Sequence, residues 1–324
     1  MNKILVTGAT GFIGSHLVEL LVERGFNVVA FDRYNTNNNW GWLEKSPIIN
    51  DVKVVLGDIR DYDSVYKSMN DCDSVIHLAA LIGIPYSYVS PMAYIKTNIE
   101  GAYNVLEASK NLGIEQIMIT STSETYGSAQ YVPIDEMHPA VGQSPYSASK
   151  ISSDQLAYSY FSSFDLPVKI VRPFNTYGPR QSARAIIPTV ISQILSGKKK
   201  LKLGNLSPTR DLTFVEDTCM GFYEISKHDS LLGEATNIGM NDEISIGDLV
   251  HKIAKIIGSE ITIVTDTDRI RPDNSEVERL YCDNSKLFKA TGWKPKHSLD
   301  SGLIETIEWM KSNQNIYKPD EYNV

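Results

Sequence analysis

The order of strand, glycine-rich turn and helix at the start of the chain constrains its fold more than any other feature. Residues 3–7, "KILVT", form a short continuous apolar run, which is typical of a strand buried on both faces. The next segment, "GATGFIG", leads into a stretch whose apolar residues recur at helical spacing as far as residue 25. A buried strand that enters a helix through such a turn begins a β–α–β unit, so the sequence predicts a parallel sheet.

Strand-like and helix-like segments alternate through the first half of the chain. Helical patterns fall between most of the strands, notably at 92–112 and 146–164. This alternation predicts an α/β fold with a doubly wound parallel sheet, whose ligands bind beyond the carboxyl ends of the strands. The further apolar, β-branched runs lie at 27–31, 52–56, 74–79, 116–120 and 168–172.

The glycine-rich turn predicts a dinucleotide site. Gly8, Gly11 and Gly14 stand where a backbone turns tightly and approaches a pyrophosphate, whose charge then meets the amino terminus of the helix. Their GxxGxxG spacing differs from the commoner GxGxxG, and a glycine triplet alone is weak evidence. Its position directly between a strand and an amphipathic helix makes the dinucleotide interpretation the stronger one.

An acidic residue at the end of the second strand indicates which dinucleotide is bound. Asp32 can accept hydrogen bonds from the adenosine ribose hydroxyls and would repel a 2′-phosphate, which favours NAD over NADP. Arg33 beside it could instead accept that phosphate, so NADP stays open as the alternative. The other residues that we expect at the cofactor are Thr10, Phe12, Ile13, Asp58, Ile59, Leu78, Ala79, Ala80 and Thr97, together with Tyr146 and Lys150.

Strand-like and helix-like segments no longer alternate regularly in the second half of the chain. The strand-like run at 234–239 nevertheless resembles a further strand of the main sheet. We therefore predict a dinucleotide-binding domain at 1–174 with about 214–240. A smaller, interleaved substrate-binding domain is expected at about 175–213 and 241–324. Its predicted elements are a helix at 245–257, a strand at 261–265 and helices near 284–291 and 299–312.

A tyrosine and a lysine indicate acid–base chemistry at this site. Tyr146 and Lys150 in "SPYSASK" are one helical turn apart and so share a helix face. A free tyrosine titrates near pH ~10, but a neighbouring ammonium group favours the phenolate. Tyr146 could then take a proton from a sugar hydroxyl while hydride leaves the same carbon. The pattern is common by chance in helices, but a strand-end hydroxyl at Thr122 makes chance the weaker interpretation.

The glycines, Thr122, Tyr146 and Lys150 together resemble the extended short-chain dehydrogenase/reductase family, in particular its nucleotide-sugar epimerases and dehydratases. The resemblance extends over essentially the whole chain and includes "RPFNTYGPR" and "RDLTFVED". It implies a nucleoside-diphosphate sugar as substrate and a homodimer, commonly formed through helices that match 92–112 and 146–164. The residues that it implies for substrate binding are Asn175, Arg184, Arg210 and Arg271.

Within that resemblance, the segment "STSETYG" selects one reaction. Simple 4-epimerases of the group usually carry a small residue where this chain has Glu124, whereas 4,6-dehydratases carry an acid. Oxidation at C4 makes the C5 proton acidic, and a carboxylate can remove it so that hydroxide leaves C6 as water. Hydride then returns at C6, and the product is a 4-keto-6-deoxy sugar. In this scheme Tyr146 is the C4 base, Lys150 its activator and Thr122 the hydrogen-bond partner of O4.

The residue before Glu124 keeps other reactions open. Thymidine-diphosphoglucose dehydratases have an Asp–Glu pair, whereas this chain has Ser123, a poor general acid, before Glu124. Glu124 is therefore expected both to accept the C5 proton and to deliver it to the leaving hydroxyl. Because UDP-glucuronate decarboxylases have a similar Ser–Glu pair, an NAD-dependent decarboxylase remains an alternative. A 4-epimerase, which leaves Glu124 without a role, and a non-catalytic dinucleotide-binding regulator are weaker alternatives.

Three longer runs narrow the resemblance further. Residues 34–44, 81–108 and 173–191 resemble the configuration-retaining 4,6-dehydratases of the legionaminic acid pathway, which supplies cell-surface polysaccharides. Those enzymes act on UDP- or GDP-linked N-acetylglucosamine. Trp40 and Trp42 in the first run form either a packed flap or the edge of a lid near cofactor or sugar.

Composition excludes several other classes of function. A net charge of −8 and a pI near 5.3 argue against a dominant nucleic-acid or membrane-surface role. The sequence shows neither an apolar run of membrane-spanning length nor a signal-peptide pattern, so we expect a cytoplasmic protein. Three scattered cysteines predict reduced thiols without a metal site, and His77 in an apolar strand is expected to be a packed residue.

Overall fold

Seven parallel strands form the central sheet of the computed structural model, which describes residues 2–321. Three further small sheets lie in the second half of the chain. In chain order the strands are β1 (Lys3–Thr7), β2 (Asn27–Arg33), β3 (Val52–Gly57), β4 (Ser74–His77), β5 (Gln116–Thr120), β6 (Val168–Pro173), β7 (Asn175–Tyr177), β8 (Lys200–Leu203), β9 (Thr209–Arg210), β10 (Leu212–Phe214), β11 (Ala235–Ile238), β12 (Ile244–Ser245), β13 (Thr262–Thr265) and β14 (Arg279–Leu280).

Helices cover both faces of the main sheet. In chain order they are α1 (Phe12–Glu23), α2 (Tyr62–Met69), α3 (Ile84–Val89), α4 (Pro91–Tyr94), α5 (Gly101–Leu112), α6 (Pro145–Phe164), α7 (Ile186–Leu195), α8 (Val215–Ser226), α9 (Ile246–Ile257), α10 (Ser285–Thr291) and α11 (Leu299–Ser312). Helices α1 and α8 pack together on one face, and α2, α5 and α6 pack on the other. Both faces are thus apolar, which explains why the strands are continuously hydrophobic.

The strand order β11-β6-β5-β4-β1-β2-β3 reverses direction between β1 and β4. Thr7, the last residue of β1, is in register with Phe31 of β2 and His77 of β4. Strands β1 and β4 therefore end at the same level, and β2 continues two residues further, to Arg33. A crevice outside this switch point is where doubly wound sheets bind their ligands. The predicted α/β fold with a doubly wound parallel sheet is confirmed.

The eight predicted strands agree with the structure to within two residues at each end, but within residues 2–321 six short strands and four helices (α2, α3, α7 and α8) escaped prediction. Helix α2 is short and polar, whereas α7, "IIPTVISQIL", is so rich in β-branched residues that its pattern resembles a strand. Helix α8 lies in a stretch that we predicted only as part of the dinucleotide domain. The helix predicted at 92–112 is interrupted, because a π-helical turn at Ile95–Glu100 separates α4 from α5.

A buried carboxylate, Asp211, connects separate segments in the second half of the chain, next to Arg210. Asp211, which is fully buried, follows that arginine and accepts hydrogen bonds from the backbone N–H groups of Met240 (2.7 Å), Asn241 (3.0 Å) and Cys282 (3.3 Å). It therefore joins the loop after β11 to Cys282, two residues beyond the end of β14. Since β9 pairs with both β12 and β14, this carboxylate fixes the backbone of Arg210.

Replacing that carboxylate is expected to destabilise the protein strongly. Asp211→Ala leaves several buried N–H donors without an acceptor, which should lower the free energy of unfolding by about 3 kcal/mol. Chemical denaturation followed by circular dichroism measures the change. Asp242→Ala, at an exposed position in the same loop, is the matched control and should change stability by no more than about 0.5 kcal/mol. Equal effects of the two substitutions would contradict this account.

Candidate active site

The glycine-rich turn between β1 and α1 leaves room for a ligand at one position only. Gly8 has a φ of +67°, and a Cβ there would lie 2.9 Å from the Ala79 nitrogen; a Cβ on Gly14 would lie 2.1 Å from the Gly8 carbonyl oxygen. Both positions therefore require glycine for reasons internal to the fold. A Cβ on Gly11 would meet only the Gly8 carbonyl, at 3.3 Å. Gly11 thus keeps an open approach to the backbone, as a bound pyrophosphate requires.

Asp32 is tied directly to this turn. Its Oδ2 accepts hydrogen bonds from the Thr10 N–H (2.8 Å) and the Thr10 hydroxyl (2.7 Å). Its Oδ1 accepts one from the Arg33 N–H at 2.6 Å, while the Arg33 side chain is exposed. The carboxylate at the end of β2 therefore faces the glycine turn, in the position expected for a ribose ligand.

The two residues expected after β3 have different surroundings. Asp58 is paired with Arg60, whose Nε donates to it at 2.9 Å, and this pairing lowers the pKa of the carboxyl group. Ile59 is buried against Gly101, and its carbonyl accepts a hydrogen bond from Asn104 at 3.0 Å. The loop after β3 is thereby anchored to α5, with Asp58 at its surface.

The loop after β4 passes close to the glycine turn and to α6. The Ala79 N–H donates to the Thr7 hydroxyl at 3.1 Å, which fixes the predicted segment from Leu78 to Ala80 beside the end of β1. Asn98, in the π-helical turn next to the half-buried Thr97, bonds both backbone groups of Leu81 (2.8 and 2.9 Å) and the Ser149 hydroxyl (2.9 Å). Sequence reasoning missed Asn98, because one asparagine in a polar stretch carries no distinguishing pattern.

Helix α6 begins at the site and places two catalytic candidates in its first turns. Ser144 caps the helix by accepting a hydrogen bond from the Ser147 N–H at 3.1 Å, and Pro145 occupies the first helical position. Tyr146 and Lys150 follow, one turn apart and both buried. The cap thus fixes where the helix starts and so where both side chains enter the site.

The structure brings Tyr146, Thr122 and Glu124 together. Burial raises the pKa of Tyr146, a hydrogen bond with Thr122 lowers it, and the charge of Glu124 raises it. The Tyr94 ring packs edge-on against the Tyr146 ring with centroids 6.2 Å apart. The phenol in the ligand-free structure is therefore a weaker acid than free tyrosine. A positive charge close to the hydroxyl is needed to lower the pKa of Tyr146.

Lys150 supplies one such cation from the next turn. Its Nζ donates to the Thr120 carbonyl, and burial lowers its pKa to about 8, against the field of Asp154. His77, at the end of β4, has its pKa lowered to about 3 by burial and by the charge of Lys150. His77 is buried and its Nδ1 bonds the Thr7 hydroxyl at 2.8 Å, so it is the packed residue that the sequence predicted, and its lowered pKa keeps it neutral.

A short 3-10 helix at Ser123–Tyr126 presents the acidic candidate. Thr122 caps this turn, because its hydroxyl accepts a hydrogen bond from the Glu124 N–H at 3.2 Å. Ser123 and Glu124 are both buried, with Glu124 8% exposed. The turn follows directly from β5, so the sheet itself positions the carboxylate beside the tyrosine.

Two arginines predicted to bind substrate share a carboxylate that the sequence analysis missed. Arg210 donates from Nη1 to the Thr209 carbonyl (2.8 Å) and from Nη2 to Glu276 Oε1 (3.3 Å). Arg271 donates to the same Glu276 oxygen at 3.3 Å. Burial lowers the pKa of Arg210, and the charge of Glu124 is the largest effect that raises it. Arg210 therefore lies within electrostatic range of the candidate base.

The other two substrate candidates have different surroundings. The side-chain oxygen of Asn175 is buried and accepts no hydrogen bond from residues 2–321, which leaves it available to a ligand. Arg184 is exposed, with its Nη1 3.3 Å from the position of a Cβ on Gly83. Its charge lowers the pKa of Tyr94, the residue that packs against Tyr146. All four candidates thus have surroundings that suit an anionic, polar ligand.

The tryptophan-containing run combines packing with proximity to the cofactor turn. The Trp42 N–H donates to the Thr10 carbonyl at 3.1 Å. Its ring packs edge-on against Trp309 of α11, with centroids 5.5 Å apart. The run therefore joins the glycine turn to the last helix, and Trp40 beside it is half-buried.

Neither metal ligation nor disulfide chemistry is indicated in the described part of the chain. Cys72, Cys219 and Cys282 are buried free thiols, and residues 2–321 contain no cluster of three histidine, cysteine or acidic side chains suited to a metal ion. Over the same residues, every helix is too short or too polar to cross a bilayer.

Comparisons with known proteins agree with this geometry. The family described as GDP-mannose 4,6 dehydratase matches residues 5–306. A protein of Methanocaldococcus jannaschii named putative UDP-glucose 4-epimerase is 32% identical over 96% of this chain and 99% of its own length. A dTDP-glucose 4,6-dehydratase of Streptomyces antibioticus is 31% identical over 98% of this chain and 95% of its own.

The fold is also similar to that of solved structures. The dTDP-glucose 4,6-dehydratase DesIV of Streptomyces venezuelae, solved with NAD bound, superposes with a TM-score of 0.87. It is 27% identical in sequence, and the match covers 98% of this chain and 99% of that one.

Proposed function

We propose that this chain, which belongs to the extended short-chain dehydrogenase/reductase family of nucleotide-sugar dehydratases and epimerases, is a 4,6-dehydratase. The observation that carries the proposal is Glu124, a buried carboxylate whose charge acts on both Tyr146 and Arg210. A 4-epimerase has no use for a second base at this position. A dehydratase needs one within reach of C5.

NAD is the cofactor. The open backbone at Gly11 and the carboxylate of Asp32 suit its pyrophosphate and adenosine ribose, and the solved dehydratase DesIV holds NAD. When bound, NAD accepts a hydride from C4 of the sugar and later returns it at C6. The chain binds it through the predicted dinucleotide-binding domain, 1–174 with about 214–240. The remaining segments contribute the substrate-binding residues Arg184, Arg210 and Arg271.

The protein side chains move the protons. Tyr146 takes the O4 proton, helped by the Lys150 ammonium and by its hydrogen bond with Thr122. Glu124 then removes the C5 proton, which the C4 ketone has made acidic. Because Ser123 is a poor acid, Glu124 returns this proton to the C6 hydroxyl as it leaves. When hydride returns at C6, C5 takes up a proton from solvent, which balances the O4 proton that Tyr146 gives up to solvent, and one water is released for each sugar nucleotide.

The substrate that we propose is an N-acetylglucosamine nucleotide, processed with retention of configuration at C5. The runs at 34–44, 81–108 and 173–191 support this choice through their resemblance to legionaminic acid pathway dehydratases. Arg210 and Arg271 suit the diphosphate, and neither distinguishes UDP from GDP, because both nucleotides present the same group to them.

Mass spectrometry in heavy water tests the reaction and the nucleotide together. The protein is incubated with NAD and, separately, with UDP-GlcNAc, GDP-GlcNAc and UDP-glucuronate. Loss of one water, with deuterium at C5, supports the dehydratase and identifies its nucleotide. Loss of carbon dioxide from UDP-glucuronate would assign the chain to the decarboxylases instead. Turnover of none of the three would reject the proposed substrates.

An epimerase is the second candidate, because the Methanocaldococcus relative is named as one. An epimerase releases no water and gives a C4 epimer of unchanged mass. Adding UDP-glucose to the same experiment and analysing the products by NMR separates these reactions. A C4 epimer without any 4-keto product would establish the epimerase.

Asp32 is expected to determine the cofactor preference. Asp32→Asn removes the charge that favours the ribose hydroxyls, so the dissociation constant for NAD should rise by about 10- to 100-fold. Discrimination against NADP should fall, because the repulsion of its 2′-phosphate is lost. Calorimetric titration with both cofactors measures this, with the exposed Asp51→Asn as the control. NAD affinity that is unchanged in Asp32→Asn would contradict the assignment.

We also propose that the protein is a homodimer. Apolar side chains are exposed along the α4–α5 region and α6, namely Met92, Ile95, Tyr103, Tyr158 and Phe164, whereas Tyr160 is buried in the core. The double substitution Met92→Glu with Tyr158→Glu should raise the dimer dissociation constant by at least about 30-fold. Light scattering measures it, with Phe288→Glu, an exposed apolar residue of α10, as the control. A wild-type monomer would reject the proposal.

A further inference from the structure

A buried ion pair lies beneath the candidate catalytic side chains. Arg172 of β6 donates to Asp154 Oδ2 from Nε (3.1 Å) and from Nη2 (2.9 Å). The side chains are 11% and 3% exposed, respectively. Asp154 lies one helical turn beyond Lys150 on α6, so the two share a helix face. The reaction proposed above uses neither member of the pair.

This ion pair contacts each element that presents a reacting group. The Ser121 hydroxyl, just before Thr122, donates to Asp154 Oδ2 at 2.7 Å. Arg172 Nη1 donates to the Tyr126 hydroxyl at 3.0 Å, and Tyr126 ends the 3-10 helix that carries the proposed base. Tyr126 in turn donates to Asn237 Oδ1 at 2.7 Å. The pair therefore links α6 to the turn at the end of β5.

The second oxygen of this carboxylate has no hydrogen-bond partner among residues 2–321, although it is buried. The titratable groups around Lys150 are Asp154 and Tyr146 on α6 and the neutral His77 on β4. A buried ammonium is costly without a negative partner, and of these groups Asp154 is the carboxylate. Burial raises the pKa of Asp154, whereas Arg172, which stays protonated, lowers it most.

We propose that the Asp154–Arg172 pair positions the catalytic side chains. Its carboxylate is the counter-ion of the Lys150 ammonium. Its guanidinium fixes the 3-10 helix Ser123–Tyr126, which carries Glu124, next to Tyr146. The inference rests on the proposed function, because it concerns the same site. Lys150 and Arg172 are two buried cations: Arg172 pairs directly with Asp154, and the charge of Asp154 is the effect that raises the pKa of Lys150 against burial. Removing the anion and removing the competing cation must therefore change the ionisation of Lys150 in opposite directions.

The ionisation of Lys150 can be measured without substrate. In protein labelled with ¹³C-lysine, the Cε signal missing from Lys150→Met identifies the residue, and its shift is followed against pH. Asp154→Asn should lower the titration midpoint by at least about one pH unit, whereas Arg172→Met should raise it. The exposed Asp165→Asn, at the end of the same helix, is the control. An unchanged midpoint in Asp154→Asn, or shifts of the same sign in both variants, would overturn the proposal.

A double variant keeps the test decisive if Asp154→Asn does not fold. Asp154→Leu with Arg172→Met replaces the ion pair by apolar side chains of similar size, an exchange that buried pairs often tolerate. Because this variant lacks the competing cation as well as the carboxylate, its Lys150 midpoint should lie about one pH unit below that of Arg172→Met alone. A midpoint equal to that of Arg172→Met would show that the carboxylate is not the counter-ion.

A separate measurement tests whether Arg172 positions the 3-10 helix Ser123–Tyr126. Tyr126→Phe removes the link from Arg172 to the Glu124 turn but leaves Asp154 in place, so the Lys150 midpoint should not move. The dehydration rate should fall about 10-fold, because a small misplacement of a base slows proton transfer. An unchanged rate would overturn this half. If the wild-type protein turns over no sugar nucleotide, the proposed function fails, whereas the lysine titration still decides the counter-ion.

Discussion

Tyr146→Phe should lower kcat by about 10³-fold with every sugar nucleotide that the wild-type protein accepts. The substitution removes the group that we propose to take the O4 proton, and without that transfer hydride cannot leave C4. The missing hydroxyl interacts with Thr122, and the ring remains packed against Tyr94. NAD binding and folding are therefore expected to stay at the wild-type level. Steady-state kinetics and calorimetric titration of NAD measure these two properties.

The matched control is Tyr66→Phe, which removes a phenol hydroxyl from α2, away from the site, and should leave kcat unchanged. If Tyr146→Phe kept a tenth of the activity, another group would have to be the base. A variant that lost NAD binding as well would show that the hydroxyl mainly holds the cofactor, a contact that the sequence analysis also expects of Tyr146.

Much of the site was predictable because its residues stand at the ends of strands. In a parallel sheet all the carboxyl ends meet at one edge, so Gly8, Asp32 and Thr122 had to converge once the strands were recognised. Tyr146 and Lys150 followed from helical spacing and a helix start. These inferences need only periodicity and short-range order, which a sequence shows directly.

The residues that escaped prediction act through contacts between distant segments. Glu276 joins Arg210 to Arg271, and Asn98 ties the loop after β4 to α6. An isolated acid or amide in a polar stretch is indistinguishable from a solvated one until the fold is known. The ion pair of Asp154 and Arg172 was hidden for the same reason, since its members are on different elements.

Glu124→Gln is expected to separate the two halves of the reaction. In the proposed reaction, C4 oxidation uses Tyr146 and Lys150, which the substitution leaves in place, whereas removal of the C5 proton needs a base that glutamine cannot supply. Dehydration should therefore fall by about 10³-fold while the absorbance of reduced nicotinamide still appears on mixing with substrate. Stopped-flow absorbance and mass spectrometry in heavy water measure the two steps, and no deuterium should enter C5.

Ser123→Ala distinguishes which group delivers the proton to the leaving hydroxyl. If Glu124 performs both transfers, this neighbouring substitution should slow dehydration by less than about 10-fold, far less than Glu124→Gln. Equal losses would assign the acid role to Ser123. If Glu124→Gln left overall turnover intact and only a C4 epimer formed, the carboxylate would have no catalytic task. The chain would then be an epimerase, because an epimerase alone completes its reaction with Tyr146 and the cofactor.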